Sequence, residues 1–222
     1  MEVMFLNNMG KRGLFIVFEG IDGCGKGTQV KLFHGYLFDA SKYHHILCTR
    51  EPFMSREIRT IMKQDSDAYA QPEKCAELFI GDRQRHVDEL IIPHLNRGEG
   101  FIVVCDRYKY SAIAYQSTQG LDVHGLIAKH RDMPVPDLTF IVDVPVEVAV
   151  ERMKKDAERE GEREHKFESD TEFMEKLRRN YLGLKELLPN ERIVIIDGNK
   201  VPFEVHREIV RAYEGWSNNL HS

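Results

Sequence analysis

Four glycines crowd around one lysine in Gly20-Ile21-Asp22-Gly23-Cys24-Gly25-Lys26-Gly27-Thr28. Glycines let the backbone curl until successive N–H groups point at an anion. Lys26 adds a mobile point charge. A helical pattern opening at Thr28 adds free N–H groups and the positive end of a dipole. Gly20 to Lys26 fits the spacing G-x-x-x-x-G-K, although Gly27 stands where Ser or Thr is usual and Thr28 comes one place late. The chemistry this suits is the holding of nucleotide phosphates. An ordinary glycine turn would have the same composition, but preceding strand, spacing, lysine and following helix all agree on the phosphate loop.

Such a loop has to be delivered by a strand and backed by a helix. The apolar run Phe15-Ile16-Val17-Phe18 supplies the strand. Further strands are expected at His45–Cys48, Phe101–Cys105, Leu138–Val142 and Arg192–Ile196. Between them lie helical patterns at Thr28–Ala40, Ser55–Lys63, Pro72 to about Leu95, Ser111–Gln116, Leu121–His130, Val146–Lys155 and Thr171–Leu188, and one at Phe203–Trp216 closes the chain. Alternation of this kind predicts an α/β fold with a doubly wound, five-stranded parallel sheet and helices on both faces. Residues 1–222 read as one domain with a loose tail at 1–13. Ligands of such folds gather beyond the carboxyl ends of the strands, so Asp22, Arg50, Asp106 and Arg107 should meet in one cleft.

The other candidates each have a plainer reading. Asp106 at a strand end is placed to hold magnesium through water, or merely to cap a helix. Arg50 and Arg107 suit a second phosphate group, because the guanidinium fork matches phosphate oxygens; singly, each would serve as well in a surface ion pair. Phe79 and Arg83 share a helix face, with His86 nearby, and could stack on and read a flat base or belong to core and surface. The charge-rich stretch at about 155–168 is either a solvated helix face or a lid that brings cations over a transferring phosphate.

Composition narrows the class. The chain has 222 residues and a net charge of −5, which gives no basic field for nucleic acid. No apolar run approaches membrane-spanning length, and residues 1–13 lack the long apolar stretch of a secretory signal. Its four cysteines, Cys24, Cys48, Cys75 and Cys105, form no C-x-x-C pair and are expected to be buried or reduced thiols of a cytoplasmic protein.

Taken together, five stretches resemble the thymidylate kinase family of the nucleoside monophosphate kinase group. They are Phe18-Glu19-Gly20-Ile21-Asp22-Gly23 with Gly25-Lys26 and Thr28-Gln29; Thr49-Arg50-Glu51-Pro52; Leu78-Phe79 with Asp82-Arg83 and His86; Asp106-Arg107-Tyr108 with Ser111 and Ala114-Tyr115-Gln116; and Val142-Asp143-Val144-Pro145. The resemblance runs in the family's order from about residue 14 to 200. It implies transfer of a phosphoryl group from ATP to dTMP with magnesium, in a homodimer. Residues 20–28 would hold the ATP phosphates, and Asp22 would face the sugar 3′-hydroxyl. Arg50 and Arg107 would grip the acceptor phosphate. Phe79 would stack on thymine and Arg83 would bond its exocyclic oxygen, with Ser111, Tyr115 and Gln116 closing the pocket. With Gly23 in the loop, the catalytic arginine is expected in the lid, from Arg152, Arg159 and Arg163.

Three departures accompany the resemblance. Phe53-Met54-Ser55 follows Glu51-Pro52 where Gly-Gly-Thr is usual. The lid reads His165-Lys166-Phe167-Glu168 instead of Asp-Arg-Phe-Glu. Gly27 matches the adenylate kinase loop, which keeps dUMP, AMP or CMP open as acceptors. A GTPase switch would need Asn-Lys-x-Asp, whereas Asn199-Lys200 runs into Val201-Pro202. A nucleotide-binding regulatory module without turnover is the remaining alternative.

Overall fold

The computed structural model describes residues 12–64, 71–160 and 171–218. Its sheet has five strands, β1 (Leu14–Glu19), β2 (His45–Arg50), β3 (Phe101–Asp106), β4 (Leu138–Asp143) and β5 (Ile193–Asp197), in the order β2-β3-β1-β4-β5. All pairings are parallel. The expected sheet is therefore the observed one, with helices on both faces.

Alternation along β1 shows why both faces are covered. Phe15 and Val17 enter one core cluster with Val103, Ile113, Phe173 and Leu177; Ile16 and Phe18 enter the other with Phe33, Phe140, Ile209 and Trp216. A strand buried on both sides reads as a continuous apolar run, and Phe15 to Phe18 are all fully buried.

On one face lie α1 (Lys26–Ala40) and α9 (Pro202–Ser217). The other carries α3 (Pro72–His86), α5 (Lys109–Thr118) and α8 (Thr171–Leu187), with α5 packed between α3 and α8. Shorter helices are α2 (Arg56–Gln64), α4 (Ile92–Leu95) and α6 (Val123–Lys129), and α7 (Val146–Glu160) follows β4. Ser55 Oγ accepts from Ile58 N–H at 3.2 Å, so the expected cap of α2 is present. The single long helix expected from Pro72 to Leu95 contains a π-helical turn, Val87–Ile91, where Ile92 N–H reaches back to Val87 O. Pro93, lacking an N–H, follows directly. Helix α7 runs further than the expected Lys155, to Glu160.

All four cysteines are free. Cys24 and Cys105 are buried, but Cys48 is exposed, because β2 is an edge strand. Among the described residues, no helix is long and apolar enough to cross a membrane.

Candidate active site

Register places the ends of three strands side by side. Phe18 and Arg50 both pair with Asp106, and the ladder continues past the strands as Arg107 N–H donates to Phe18 O and Glu51 N–H to Asp106 O. The loop after β1 therefore opens beside Arg50, Asp106 and Arg107, the cleft expected from sequence.

Backbone geometry explains the loop's composition. Gly20, Gly23 and Gly25 have φ of 138°, 76° and 94°. A Cβ on Gly23 would lie 2.3 Å from Ala149 O, and one on Gly20 2.5 Å from Val142 O. Neither position admits a side chain. Gly27 differs, since its nearest neighbour would be Asp106 Oδ2 at 3.9 Å. Lys26 opens α1 and folds back over the loop, with Nζ 3.3 Å from Ile21 O and 3.4 Å from Asp22 Oδ1. Arg152 on α7 supports the outer flank by donating to Cys24 O at 3.2 Å and Gly198 O at 3.1 Å.

Asp22 joins this loop to the other half of the cleft. It accepts from Arg107 Nη2 and from the Tyr115 hydroxyl, the latter at 2.9 Å. Burial opposes its charge, but Arg107, Lys26 and Tyr115 outweigh burial and hold its carboxyl well below the usual range. Arg107 sits at φ 72°, in the left-handed region. Its Nη1 donates to Ser111 Oγ at 3.0 Å and the Tyr181 hydroxyl at 3.1 Å. Arg50 is exposed and has no hydrogen-bond or ion-pair partner among the described residues, a cation left available.

Asp106 ends β3 facing Gly27. Its Oδ1 is buried without a partner among the described residues. An orphaned carboxylate oxygen there suits a hydrated magnesium ion. No group of three or more His, Cys, Asp or Glu among the described residues could hold a metal alone, so phosphate oxygens and water would have to complete its shell.

Arg83 is not on the surface of α3. It is 1% exposed, and its Nε donates to Glu51 Oε2 at 2.7 Å. Its Nη2 lies 2.6 Å from the same oxygen and donates to Tyr108 O at 3.1 Å, while Nη1 meets His130 Nε2 at 2.8 Å. Its three hydrogen bonds use one N–H on each of its three nitrogens. His130 Nδ1 lies 2.7 Å from Leu126 O and must carry the proton, which leaves Nε2 as acceptor for Arg83. Burial and the Arg83 charge push the His130 pKa down to about 4. Phe79 is half-buried one turn away. Gln116 is buried, with Nε2 3.3 Å from Gln119 Oε1 and its own Oε1 unpartnered among the described residues.

Several structural residues of the site carried no expected role. Glu51 holds Arg83 and takes His86 Nδ1 at 3.2 Å. Asp82 accepts from the N–H groups of Phe53, Met54 and Ser55 at 2.5, 3.0 and 2.7 Å, which fixes the atypical loop after Pro52. Glu19 was readable as a carboxylate closing a buried strand, which demands partners. Arg163 and residues 161–168 of the expected lid lie outside the described residues, as do 1–11 of the tail and the side chain of Arg159.

Known proteins resemble the chain over most of its length. A family model described as thymidylate kinase matches residues 18–209. A probable thymidylate kinase of Pyrococcus horikoshii is 40% identical over 189 residues, 82% of this chain and 88% of that protein. A thymidylate kinase of Fervidobacterium nodosum is 37% identical over 215 residues, 91% of this chain and all of that protein (100%). The crystal structure of thymidylate kinase from Ehrlichia chaffeensis superposes with a TM-score of 0.70 at 27% identity, covering 91% of this chain and 98% of that one. A phosphate loop facing paired strand-end arginines, together with the match over most of its length, means that the chain belongs to the thymidylate kinase family.

Proposed function

We propose that the protein transfers the γ-phosphoryl group of ATP to dTMP, giving ADP and dTDP, with the donor in loop 20–28 and the acceptor between that loop, Arg107 and α5. The observation that carries this assignment is Arg107, which reaches from the end of β3 to Asp22 of the loop, with Arg50 at the end of the neighbouring strand lacking a side-chain partner among the described residues. The attacking acceptor oxygen is already anionic, so the protein needs no general base. Its work is positioning and charge stabilisation.

In this reading Lys26 leaves Ile21 O and Asp22 for the donor phosphates, and Arg50 and Arg107 hold the acceptor in line. Asp22 with Tyr115 receives the sugar hydroxyl, while Phe79, Arg83, Ser111 and Gln116 frame the base. Arg152, Arg159 and Arg163 are the candidates for the cation that covers the transferred group, within a lid at about 155–168. Magnesium, held by Asp106 through water, would neutralise charge on the phosphates. The reading includes one kinase domain working as a cytoplasmic homodimer, with the helix from Pro72 to Leu95 supplying an apolar interface.

The test is ADP release with ATP and magnesium, comparing dTMP, dUMP, AMP, CMP and no acceptor. Fast release with dTMP and slower release with dUMP is the expected result. Preference for AMP or CMP overturns the base assignment, and silence with every acceptor overturns catalysis.

A further inference from the structure

Glu19 closes β1 directly before Gly20 of the loop and is fully buried. A carboxylate in that position must have partners for its charge. Its Oε1 accepts from the backbone N–H groups of Tyr108 at 2.7 Å and Ser111 at 3.2 Å; its Oε2 accepts from Ser111 Oγ at 2.6 Å. Helix α5 has no side-chain cap of its own at Tyr108. Glu19 therefore satisfies free N–H groups of that helix from a neighbouring strand. Because Ser111 commits its one hydroxyl proton to Glu19, only lone pairs remain for Arg107 Nη1 at 3.0 Å and the Tyr181 hydroxyl at 2.9 Å. Tyr181 in turn accepts from Arg107 at 3.1 Å.

We propose that Glu19 is a positioning residue for the acceptor phosphate: through Ser111 it fixes the Arg107 guanidinium, and by capping α5 it holds Tyr115 against Asp22. The strand that feeds the donor loop thus also sets the acceptor half of the cleft. This rests on the assignment of Arg107 to the acceptor phosphate. The titratable groups facing Glu19 are Lys26 from the loop, Cys105 and Arg107 from the end of β3, Tyr110 of α5 and Tyr181 from α8. Burial pushes the Glu19 pKa up to about 7, against the pull of Arg107, Ser111, Tyr108 and Lys26. Once protonated, Glu19 would donate to Ser111 Oγ and force the Ser111 and Tyr181 hydroxyls to reverse.

Glu19→Gln keeps an oxygen for the two N–H groups and imposes the same reversal. Steady-state kinetics should show KM for dTMP raised about tenfold, with kcat and KM for ATP within about twofold. The melting temperature should move by only a few degrees. Arg107→Ala should raise KM for dTMP by itself, and adding Glu19→Gln to it should cost nothing further. A normal KM for dTMP in folded Glu19→Gln, beside a raised one in Arg107→Ala, overturns the proposal alone. Equal rises in both KM values with lost thermal stability also overturn it, because they mark a purely structural cap. A normal KM for dTMP in Arg107→Ala removes the acceptor-phosphate assignment, and the proposal with it. If Glu19→Gln does not fold, Glu19→Asp draws the carboxylate back from Ser111 and carries the same expected split between the two KM values.

Discussion

Arg107, from the end of β3, donates through Nη2 to Asp22 of the loop after β1, so one ion pair ties the two strand ends together across the cleft. The same Asp22 receives Lys26 and Tyr115. Asp22→Asn removes the charge on which these cations converge while keeping the shape. It should lower kcat/KM for dTMP on the order of 10²-fold. A loss below about threefold would take Asp22 out of the acceptor site.

Among the described residues, Lys26 is held by two long contacts, to Ile21 O and Asp22. A lysine so lightly held can move to phosphate oxygens at little cost. Lys26→Ala should reduce kcat by about 10²–10³-fold, roughly 3–4 kcal/mol of transition-state stabilisation. Unchanged turnover in single-turnover assays would refute the loop's role.

Arg83 has two consequences for two measurements. Its removal leaves Glu51 buried, with His86 as its remaining neighbour at 3.2 Å. Arg83→Ala should therefore lose about 3–5 kcal/mol in urea denaturation. It should also flatten the preference for dTMP over other acceptors. Preserved stability would show that Glu51 finds water or another partner; a preserved dTMP preference would remove Arg83 from base reading.

Glycine positions in the loop are not equivalent. Gly23→Ala drives a Cβ into Ala149 O, 2.3 Å away, at a φ of 76°, and should abolish activity. Gly27→Ser has room beside Asp106 and should fold with an unchanged melting temperature. The hydroxyl it adds should lower the magnesium concentration for half-maximal rate. If Gly27→Ser behaves like Gly23→Ala, the space at Gly27 is not real.

Glu19 gives stability a pH dependence opposite to that of an ordinary surface carboxylate. In the folded protein it keeps its proton up to about 7, while the unfolded chain releases it near 4.5. Between those values the folded state binds more protons, so this contribution falls as pH rises. Glu19→Gln removes it. Its stability relative to the unaltered protein should climb through this window, at up to about 1.4 kcal/mol per pH unit. Urea denaturation at three pH values checks the slope, and a flat difference would mean that Glu19 is ionised throughout.

Sheet, strand order of burial and phosphate loop were legible because each is written locally. Phe15 to Phe18 is a continuous apolar run, and the loop glycines mark backbone that side chains cannot adopt. Strand ends also announced Arg50, Asp106 and Arg107. Arg83 was harder, since its helical spacing fitted a surface residue as well as a buried one. Its partner Glu51 is 32 residues away, and His130 is 47. Those contacts follow from how α3 and α6 each pack against α5, which periodicity does not encode. Asp82 shows the same limit, since the loop it shapes belongs to β2's far end.

The π-helical turn at Val87–Ile91 makes chain length a structural variable here. The turn holds one residue more than an ordinary helical turn, so deleting one residue inside it would leave the following turn facing much as it does now, whereas a deletion elsewhere in the same helix would swing that turn by about 100°. Leu95 O receives Gly13 N–H at 2.8 Å, the bond that anchors the entrance to β1. A one-residue deletion in the regular part of the helix, far from any phosphate, would thus reach the strand that presents the phosphate loop, whereas the same deletion inside the π-turn would be absorbed.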